Sequence, residues 1–598
     1  MDTSQFGPAG LRSAAPRIFD LARGEPSLGA MRGRLCGLAE QMELDTFRDY
    51  GELREGSIIR VRDCATAFRS MLRQRSDDRA GFSLAQAIRD LARDVPRPDL
   101  STGFFADLYH LLLGLQGLGP GEAPADAALA VSRLEGREAA LERSRQLDEL
   151  WRGIEARLAR YGGGLSDELR GRRARRRDRV RDALGGTEQE WRDWKWQLRH
   201  VVRDPETLER LLTLSDEERR AVREAVERRV PFGITPHYLC LMCDEPSPED
   251  RAVRAQVIPS LEYARAVGEA RASCAADLDF MRERDTSPVD LVTRRYPAIA
   301  IFKPYNTCPQ ICVYCQRNWE IDGVLDPAAL APEPQIAAAL AWIREHPAIH
   351  EVLVTGGDPL AMADGTVRRI LDGIAAIPSV ERIRIGTRTP VTLPMRFTEG
   401  LCDLLAGYRV PGRRELAVVT HVQHTSELTS EVVEAVDRLR RRGIAVYNQL
   451  VYTFFVSRRF EAAALRRTLR RAGIDPYYTF NTKGKAETRA YRVPIARLLQ
   501  EQKEESRLMP GMARTDEAVY NVPGMGKNYL RARQHRNVLS ILPDGARVYE
   551  YHPWEKNVSG MGPLESYVSP DVPILDYLER LEAVGEDVSD YRTIWYYY

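Results

Sequence analysis

The chain has 598 residues, 87 basic against 86 acidic side chains, a net charge of +1, and 43% hydrophobic residues. That length allows two or three domains with full cores, and the even charge balance excludes a global electrostatic pull toward nucleic acid or an anionic membrane. Nine cysteines are too few for a disulfide scaffold, no run approaches the ~20 apolar residues of a membrane span, and the opening MDTSQFGPAGLRSAAPRIF lacks an apolar core of signal-peptide length.

Residues 1 to about 185 are expected to be mostly helical. FFADLYHLLLGL (Phe104 to Leu115) is the strongest apolar segment and predicts a buried helix, with Pro96, Pro98, Gly117, Gly119 and Pro120 as loop signals around it. Ala127 to Arg160 alternates Leu, Ala, Glu and Arg at helical spacing until Gly162, Gly163 and Gly164 break it. No chemical motif occurs here, so a helical accessory or interaction domain of unassigned role is expected. Arg170 to Arg181 holds eight arginines and one aspartate. Contact with nucleic acid or an acidic protein is one reading. A solvated helix or linker is the other, favoured because no aromatic or base-reading element lies beside it.

Residues 186–290 are expected to be helical again, a preface to a catalytic domain. WRDWKWQLRHVV (Trp191 to Val202) predicts a packing helix with Trp191 and Trp194 on one face. Cys240 and Cys243 form a C-x-x-C, which leaves redox or metal chemistry open. Three residues apart on a helix they simply face the same way, and core packing is the expected role.

From Tyr296 to Asn318 the chain reads YPAIAIFKPYNTCPQICVYCQRN: a short apolar strand, then a loop carrying Cys308, Cys312 and Cys315 at C-x3-C-x2-C spacing. Three thiolates on one loop suit three corners of an iron–sulfur cubane, with one iron left open to a ligand. A structural zinc site would need a fourth ligand from elsewhere; that alternative, and unrelated loop cysteines, stay open on spacing alone. An oxygen-sensitive cluster and free thiols predict a reducing cytoplasm.

A strand followed by this loop resembles the radical S-adenosylmethionine (SAM) superfamily. The resemblance implies a [4Fe-4S] cluster on Cys308, Cys312 and Cys315, with SAM on the open iron as the source of a 5′-deoxyadenosyl radical. It also implies an aromatic residue, here Tyr314, near the adenine.

Strands are predicted at Ala298–Phe302, Glu351–Thr355, Arg382–Gly386, Leu416–His421, Ala445–Val451 and Pro476–Phe480. Helical patterns are predicted at Glu333–Glu345, Thr366–Ala376, Glu399–Leu405, Ser430–Arg442, Glu461–Ala472 and Ile495–Arg507. Six βα units about thirty residues apart imply an α/β fold with a parallel sheet. Eight would close a barrel; six fit an open, partial (β/α)6 barrel over residues 291–508, which is the superfamily's fold. Functional groups then belong at the C-terminal strand ends. Short strands at Ala518–Val522, Val538–Leu542 and Arg547–Tyr551 predict a small β-rich C-terminal cap (509–598) over the barrel mouth.

At those strand ends lie Gly356, Gly357 and Asp358, whose glycines let backbone amides approach a zwitterionic ligand, then Arg388 and Thr389, His421, and Asn448 with Gln449. Lys527, in Pro523-Gly524-Met525-Gly526-Lys527, follows a flexible glycine loop from which a lysine can swing in to form a Schiff base with an aldehyde cofactor; on this pentapeptide alone a surface lysine on a turn is the favoured alternative.

From about Trp191 to Glu555 the chain resembles the lysine 2,3-aminomutase family, through WRDWKWQLRH, GITPHYL, RRYP, CPQICVYCQR, VLVTGGDPL, RIRIGTRTPVTLP, NQLV, DPYYTF and VPGMGKN. The resemblance implies pyridoxal 5′-phosphate on Lys527, with Arg295 near its phosphate. It implies that Arg317 grips the substrate α-carboxylate as a bidentate guanidinium, that Gly356, Gly357, Asp358, His421 and Gln449 contact cofactors, and that an electron donor such as flavodoxin or ferredoxin and a homo-oligomer are involved. Where the lysine enzyme holds the distal ammonium with two aspartates, this chain has Lys483 and Asn521. That pair resembles glutamate 2,3-aminomutase, and such a site attracts a distal carboxylate. No cysteine follows Cys402, so the family's C-terminal zinc site is missing. The expected function is an isomerase, a radical SAM, pyridoxal-phosphate-dependent 2,3-aminomutase interconverting L-glutamate and β-glutamate. The alternatives are the same reaction on aspartate, arginine or lysine, or an iron–sulfur interaction protein working through the arginine run and the helical N-terminal residues.

Overall fold

The computed structural model describes residues 3–48, 55–120, 134–273, 278–481, 485–554 and 566–598. Its centre is a nine-stranded sheet in sequence order: β1 (Val292–Thr293), β2 (Ile299–Tyr305), β3 (Glu351–Gly356), β4 (Arg382–Gly386), β5 (Glu415–Thr420), β6 (Ala445–Tyr452), β7 (Asp475–Asn481), β8 (Glu517–Val522) and β9 (Gly526–Tyr529). β2 through β8 are parallel, each paired with the next. β1 and β9 add antiparallel edges. These two outermost strands pair on one side only, so the sheet stays open, as six βα units predict.

All six predicted strands and their helices form, the helices spanning Glu333–Arg344, Asp364–Ala375, Glu399–Ala406, Ser430–Arg441, Glu461–Arg471 and Ile495–Glu504. Strand period decides which side chains do chemistry. On β4, Ile383 and Ile385 are buried, while Arg384 and Gly386 line an internal cavity. Leu353 and Thr355 on β3, Val419 on β5, Gln449 and Val451 on β6 and Tyr478 and Phe480 on β7 line the same cavity. Nearly every strand contributes alternate residues to one concave face.

Two sequence expectations are corrected here. The strand read at Ala518–Val522 belongs not to the cap but to the central sheet: it is β8, the return strand of the sixth βα unit, paired with β7. The chain then turns back through Pro523–Met525 into β9, so Lys527 sits on a strand rather than a free loop, directly across from Asn521. The tryptophan segment is also not one helix. A capping box at Thr187 and Glu190 opens a helix ending at Trp191, and Asp193 caps a new one from Trp194. The ring packed on Trp191 is therefore Trp196, at 5.7 Å between centroids. Cys240 and Cys243 do not share a helix, which ends at Leu239: Cys240 is buried in the core as expected, its thiol bonded to the Pro236 carbonyl, whereas Cys243 lies beyond the turn and is half-buried.

A separate antiparallel sheet, β10 (Arg536–Ile541), β11 (Arg547–Tyr551) and β12 (Tyr567–Pro570), lies toward the C-terminus. It is packed against the N-terminal helices and shares a core with the predicted buried helix, which spans Thr102–Leu115. Buried Asp107 accepts two hydrogen bonds of 2.8 Å from Nε and Nη2 of buried Arg547, which also donates to the carbonyls of Trp595 and Tyr597. Arg75 binds Glu550 through both oxygens, at 2.9 and 2.7 Å. The arginine-rich helix, Asp167–Ala183, is neither a linker nor a free basic face. Arg176 is buried and bonds the Leu211 and Leu239 carbonyls, Arg179 and Arg176 pair with Asp244, and Arg173 bonds the Ser426 carbonyl. Among the described residues no helix is long and apolar enough to cross a membrane.

Removing one partner of a buried pair leaves an uncompensated charge, which typically costs about 3–5 kcal/mol. Asp107→Ala is expected to lower the unfolding free energy by about that amount, read from the shift in the urea midpoint. A loss under about 1 kcal/mol would show that Asp107 and Arg547 do not hold the N-terminal helices to the C-terminal sheet.

Candidate active site

The concave face of the sheet encloses a cavity of about 380 Å³, within the size range of ligand sites. Cys308, Cys312 and Cys315 all line it, as do Tyr314, Arg317, Gly356, Gly357, Asp358, His421, Gln449, Asn521, Arg295 and Lys527. The structure thus brings together every predicted site residue that it describes. Lys483 lies outside the described residues.

The cysteine loop is held by backbone contacts. Ile311 N–H donates to the Gly233 carbonyl at 3.1 Å and Val313 N–H to the Gln256 carbonyl at 2.9 Å. Gly357 N–H and Asp358 N–H donate to the Tyr305 and Thr307 carbonyls at 2.8 and 2.9 Å. A Cβ on Gly357 would stand 2.0 Å from the Thr307 oxygen, and Gly356 has φ +112°. The amides of Gly357 and Asp358 thus serve the cysteine loop, and the glycines let two backbones touch, while Gly356, Gly357 and Asp358 all line the cavity. Asp358 has a structural role as well. Its carboxylate accepts from Thr387 Oγ1 at 2.6 Å, Arg388 N at 2.9 Å, Thr389 N at 3.0 Å and Leu360 N at 3.2 Å, which engages both oxygens in fixing the turn after β4.

Burial, joined by the charges of Asp358 and the other two cysteines, pushes the Cys308 thiol well up, and burial also raises Cys312 against the pull of Arg388. Bound iron reverses that balance, since a coordinated thiol is deprotonated outright. Among the described residues no three His, Cys, Asp or Glu side chains gather tightly enough for one metal ion. Thiolates on a single zinc, each ~2.3 Å from it, would lie within about 4 Å of one another. A cubane takes each thiolate on a different iron, and the three thiols lining one cavity are the donor set for three such corners.

At the opposite wall, Lys527 Nζ donates to the Tyr296 hydroxyl and lies 4.6 Å from the Tyr296 ring centroid and 5.6 Å from that of Tyr478. Trp554 also lines the cavity, stacked on Tyr529 at 5.7 Å. An amine among flat aromatic walls, with Arg295 nearby, fits a planar aldehyde cofactor that carries a phosphate. Arg295 itself donates to the Met281 carbonyl at 2.8 Å. His421 Nδ1 is within 2.8 Å of the Gln449 carbonyl, which fixes the ring.

Sequence reasoning missed the partners that orient these groups. Arg317 Nε donates to Glu283 at 3.0 Å, and Gln316 Nε2 donates to the other oxygen of Glu283 at 3.1 Å. Burial pushes the Glu283 carboxyl up, but Arg317 and Lys303 beside it, with the hydrogen bonds, hold it at about 2. Asn521 Nδ2 reaches Gln316 Oε1 at 3.3 Å, and its buried Oδ1 has no hydrogen-bond partner among the described residues. One hydrogen-bonded chain thus runs from Asn521 through Gln316 and Glu283 to Arg317. Lys485 is buried and engaged by the Cys315 carbonyl, Asn318 and Glu487. The only hint of Tyr296 in the sequence was its place beside Arg295 in RRYP.

The sequence pattern of the Radical SAM superfamily matches residues 302–465, from within β2 into the helix after β6. An uncharacterised KamA family protein of Methanocaldococcus jannaschii is 43% identical over 524 residues, covering 84% of this chain and 82% of that one. Glutamate 2,3-aminomutase of Clostridioides difficile is 32% identical over 322 residues, covering 54% of this chain and 72% of its own. L-lysine 2,3-aminomutase of Bacillus subtilis is 33% identical over 315 residues, covering 52% and 63%. A match over 84% of this chain must take in part of residues 1–185, because the remainder is less than three quarters of the chain.

Cys308→Ala, Cys312→Ala and Cys315→Ala are each expected to abolish reductive SAM cleavage in anaerobically reconstituted protein, because each removes an iron ligand. Cys240→Ala and Cys243→Ala should cleave at the native rate. Full cleavage by any variant of the first three would remove that cysteine from the ligand set.

Proposed function

This chain belongs to the KamA family of radical SAM enzymes, and from that membership we propose that it is a 2,3-aminomutase interconverting L-glutamate and β-glutamate. One observation carries the reading: three cysteine thiols, the Lys527 amine and the Arg317 guanidinium line a single cavity. An iron–sulfur interaction protein has no use for the last two.

When bound, the cluster with SAM supplies a radical that takes hydrogen from C3, and pyridoxal phosphate supplies an electron-accepting ring for the migrating nitrogen. The chain's own residues do the rest. Cys308, Cys312 and Cys315 hold three irons. Lys527 offers its Nζ to the aldehyde, and the Tyr296 hydroxyl, hydrogen-bonded to that atom, is placed to hold or return its proton. Arg317, anchored by Glu283 through Nε, takes the substrate α-carboxylate. Tyr478, Phe480 and Trp554 wall the cavity with aromatic surface that limits solvent access to the reacting groups.

Glutamate is favoured by charge. The carboxylates among the described lining residues are Glu283 and Asp358, and both are already engaged, by Arg317 with Lys303 and by the turn after β4. A distal ammonium meets no unengaged carboxylate among the described lining residues, while a distal carboxylate meets Asn521 and, by the family resemblance, Lys483. A like-charge or unpaired contact in such a site costs roughly 2–5 kcal/mol, which gives at least about a hundredfold discrimination. An external one-electron donor such as ferredoxin or flavodoxin, a homo-oligomer without the C-terminal zinc site, and a cytoplasmic location complete the reading.

Borohydride treatment of the pyridoxal-loaded protein is expected to leave a pyridoxyl group on Lys527, found by peptide mass mapping; a label on a different lysine would transfer the role elsewhere. In a panel of amino acids with reconstituted enzyme, kcat/KM for glutamate should exceed that for lysine by at least about a hundredfold. Asn521→Asp should erode that ratio. Lysine turned over faster than glutamate by the native enzyme would refute the substrate assignment and leave the aminomutase reading standing.

A further inference from the structure

We propose that Arg388 sets the reduction potential of the iron–sulfur cluster by donating a hydrogen bond to the sulfur of its ligand Cys312. The proposal concerns the electron-accepting step alone and is independent of which amino acid the enzyme rearranges.

Arg388 follows β4 in Gly386-Thr387-Arg388-Thr389-Pro390, and it is 8% exposed. Its Nη1 donates to Cys312 Sγ at 2.8 Å. The rest of the guanidinium is fixed by groups that owe nothing to the cluster. Nε donates to the His421 carbonyl at 3.2 Å, and Nη2 donates to Glu427 Oε1 at 2.8 Å, to the Tyr238 hydroxyl at 3.2 Å and to Gln256 Oε1. The Arg388 backbone N–H is held by Asp358. Glu427, fully buried, is fixed in turn by the Tyr238 hydroxyl at 2.6 Å and by the backbone amides of Gln423 and His424 at 2.6 and 3.1 Å. A planar fork with donors engaged on several sides cannot turn away from the sulfur.

Had the arginine served only to neutralise Glu427, its Nη2 would suffice. The geometry instead turns a second nitrogen toward a cluster ligand. Reduction adds one electron, taken from an external donor, and so one negative charge to the cluster, with no bond made or broken. Hydrogen bonds to the sulfurs and nearby charge are the protein's main means of setting that potential. A cation in direct contact stabilises the reduced form more than the oxidised one, and a buried setting strengthens the effect. Nη1 faces the sulfur while Glu427 binds Nη2, so the positive end of the pair is the nearer one.

The test is an EPR-monitored titration of full-length protein with reconstituted cluster, reduced by dithionite through mediators, in the absence of SAM and pyridoxal phosphate. Arg388→Gln is expected to lower the midpoint by at least ~59 mV, a tenfold fall in the reduced-to-oxidised ratio for one electron. An unchanged or raised midpoint at native iron content overturns the proposal. If Arg388→Gln alone fails to hold the cluster, the double variant Arg388→Gln/Glu427→Gln, which leaves no unpaired buried carboxylate, decides by the same criterion. Loss of the cluster from both variants also overturns it, since Arg388 then builds the site rather than tuning it.

Discussion

Everything at the mouth of this sheet depends on one close approach, where the end of β3 touches the cysteine loop backbone to backbone. Gly357 leaves no room for a Cβ against Thr307, and its amide, with that of Asp358, closes two hydrogen bonds onto the loop. Asp358 then uses its side chain to gather the amides of Arg388 and Thr389. Arg388, so placed, reaches Cys312. Gly357 and Asp358 thus couple β3, the turn after β4 and the cysteine loop. Their role is architectural before it is chemical, and any side chain at position 357 would push the cysteines out of register with the groups across the cavity.

That dependence explains what was legible in the sequence. The strands and helices of the barrel are regular repeats of period 2 and 3.6 with glycine and proline between them, and all appear at the expected places to within a few residues. The cysteine spacing and Lys527 were legible because each is a local pattern. β8 was misassigned because a short apolar strand carries no mark of which sheet it joins; only its position after the sixth helix decides that. The orienting partners were out of reach for a different reason. Arg317 and Glu283 are 34 residues apart, Arg388 and Cys312 are 76, and Lys527 and Tyr296 are 231. Nothing in the local pattern around Glu283 distinguishes it from other polar residues, Tyr296 is marked only by its place in RRYP, and their roles exist only once the sheet brings distant segments together.

The N-terminal helices are a second instance. Composition marked them as helical and left them without a role. In the structure they bury Asp107 against Arg547 and close over the C-terminal sheet, whose neighbour Trp554 lines the cavity. The arginine-rich helix, which by composition alone suggested a nucleic-acid or solvent-facing surface, instead pins itself to the catalytic half through carbonyls and Asp244. Charge density along a sequence reports how many ion pairs a helix is able to make, not what lies opposite it. These contacts pack the described N-terminal helices against the C-terminal sheet and the catalytic half.

The central claim is that radical generation at the cysteine loop and amine chemistry at Lys527 share one cavity, so hydrogen passes directly between them. Glutamate carrying deuterium at C3, turned over by the reconstituted enzyme, tests this most directly by mass spectrometry of the β-glutamate formed and of the 5′-deoxyadenosine recovered on quenching. Deuterium should appear in 5′-deoxyadenosine and at the former C2 of β-glutamate. β-Glutamate formed with no deuterium in the deoxyadenosine would contradict the shared cavity and separate the two chemistries.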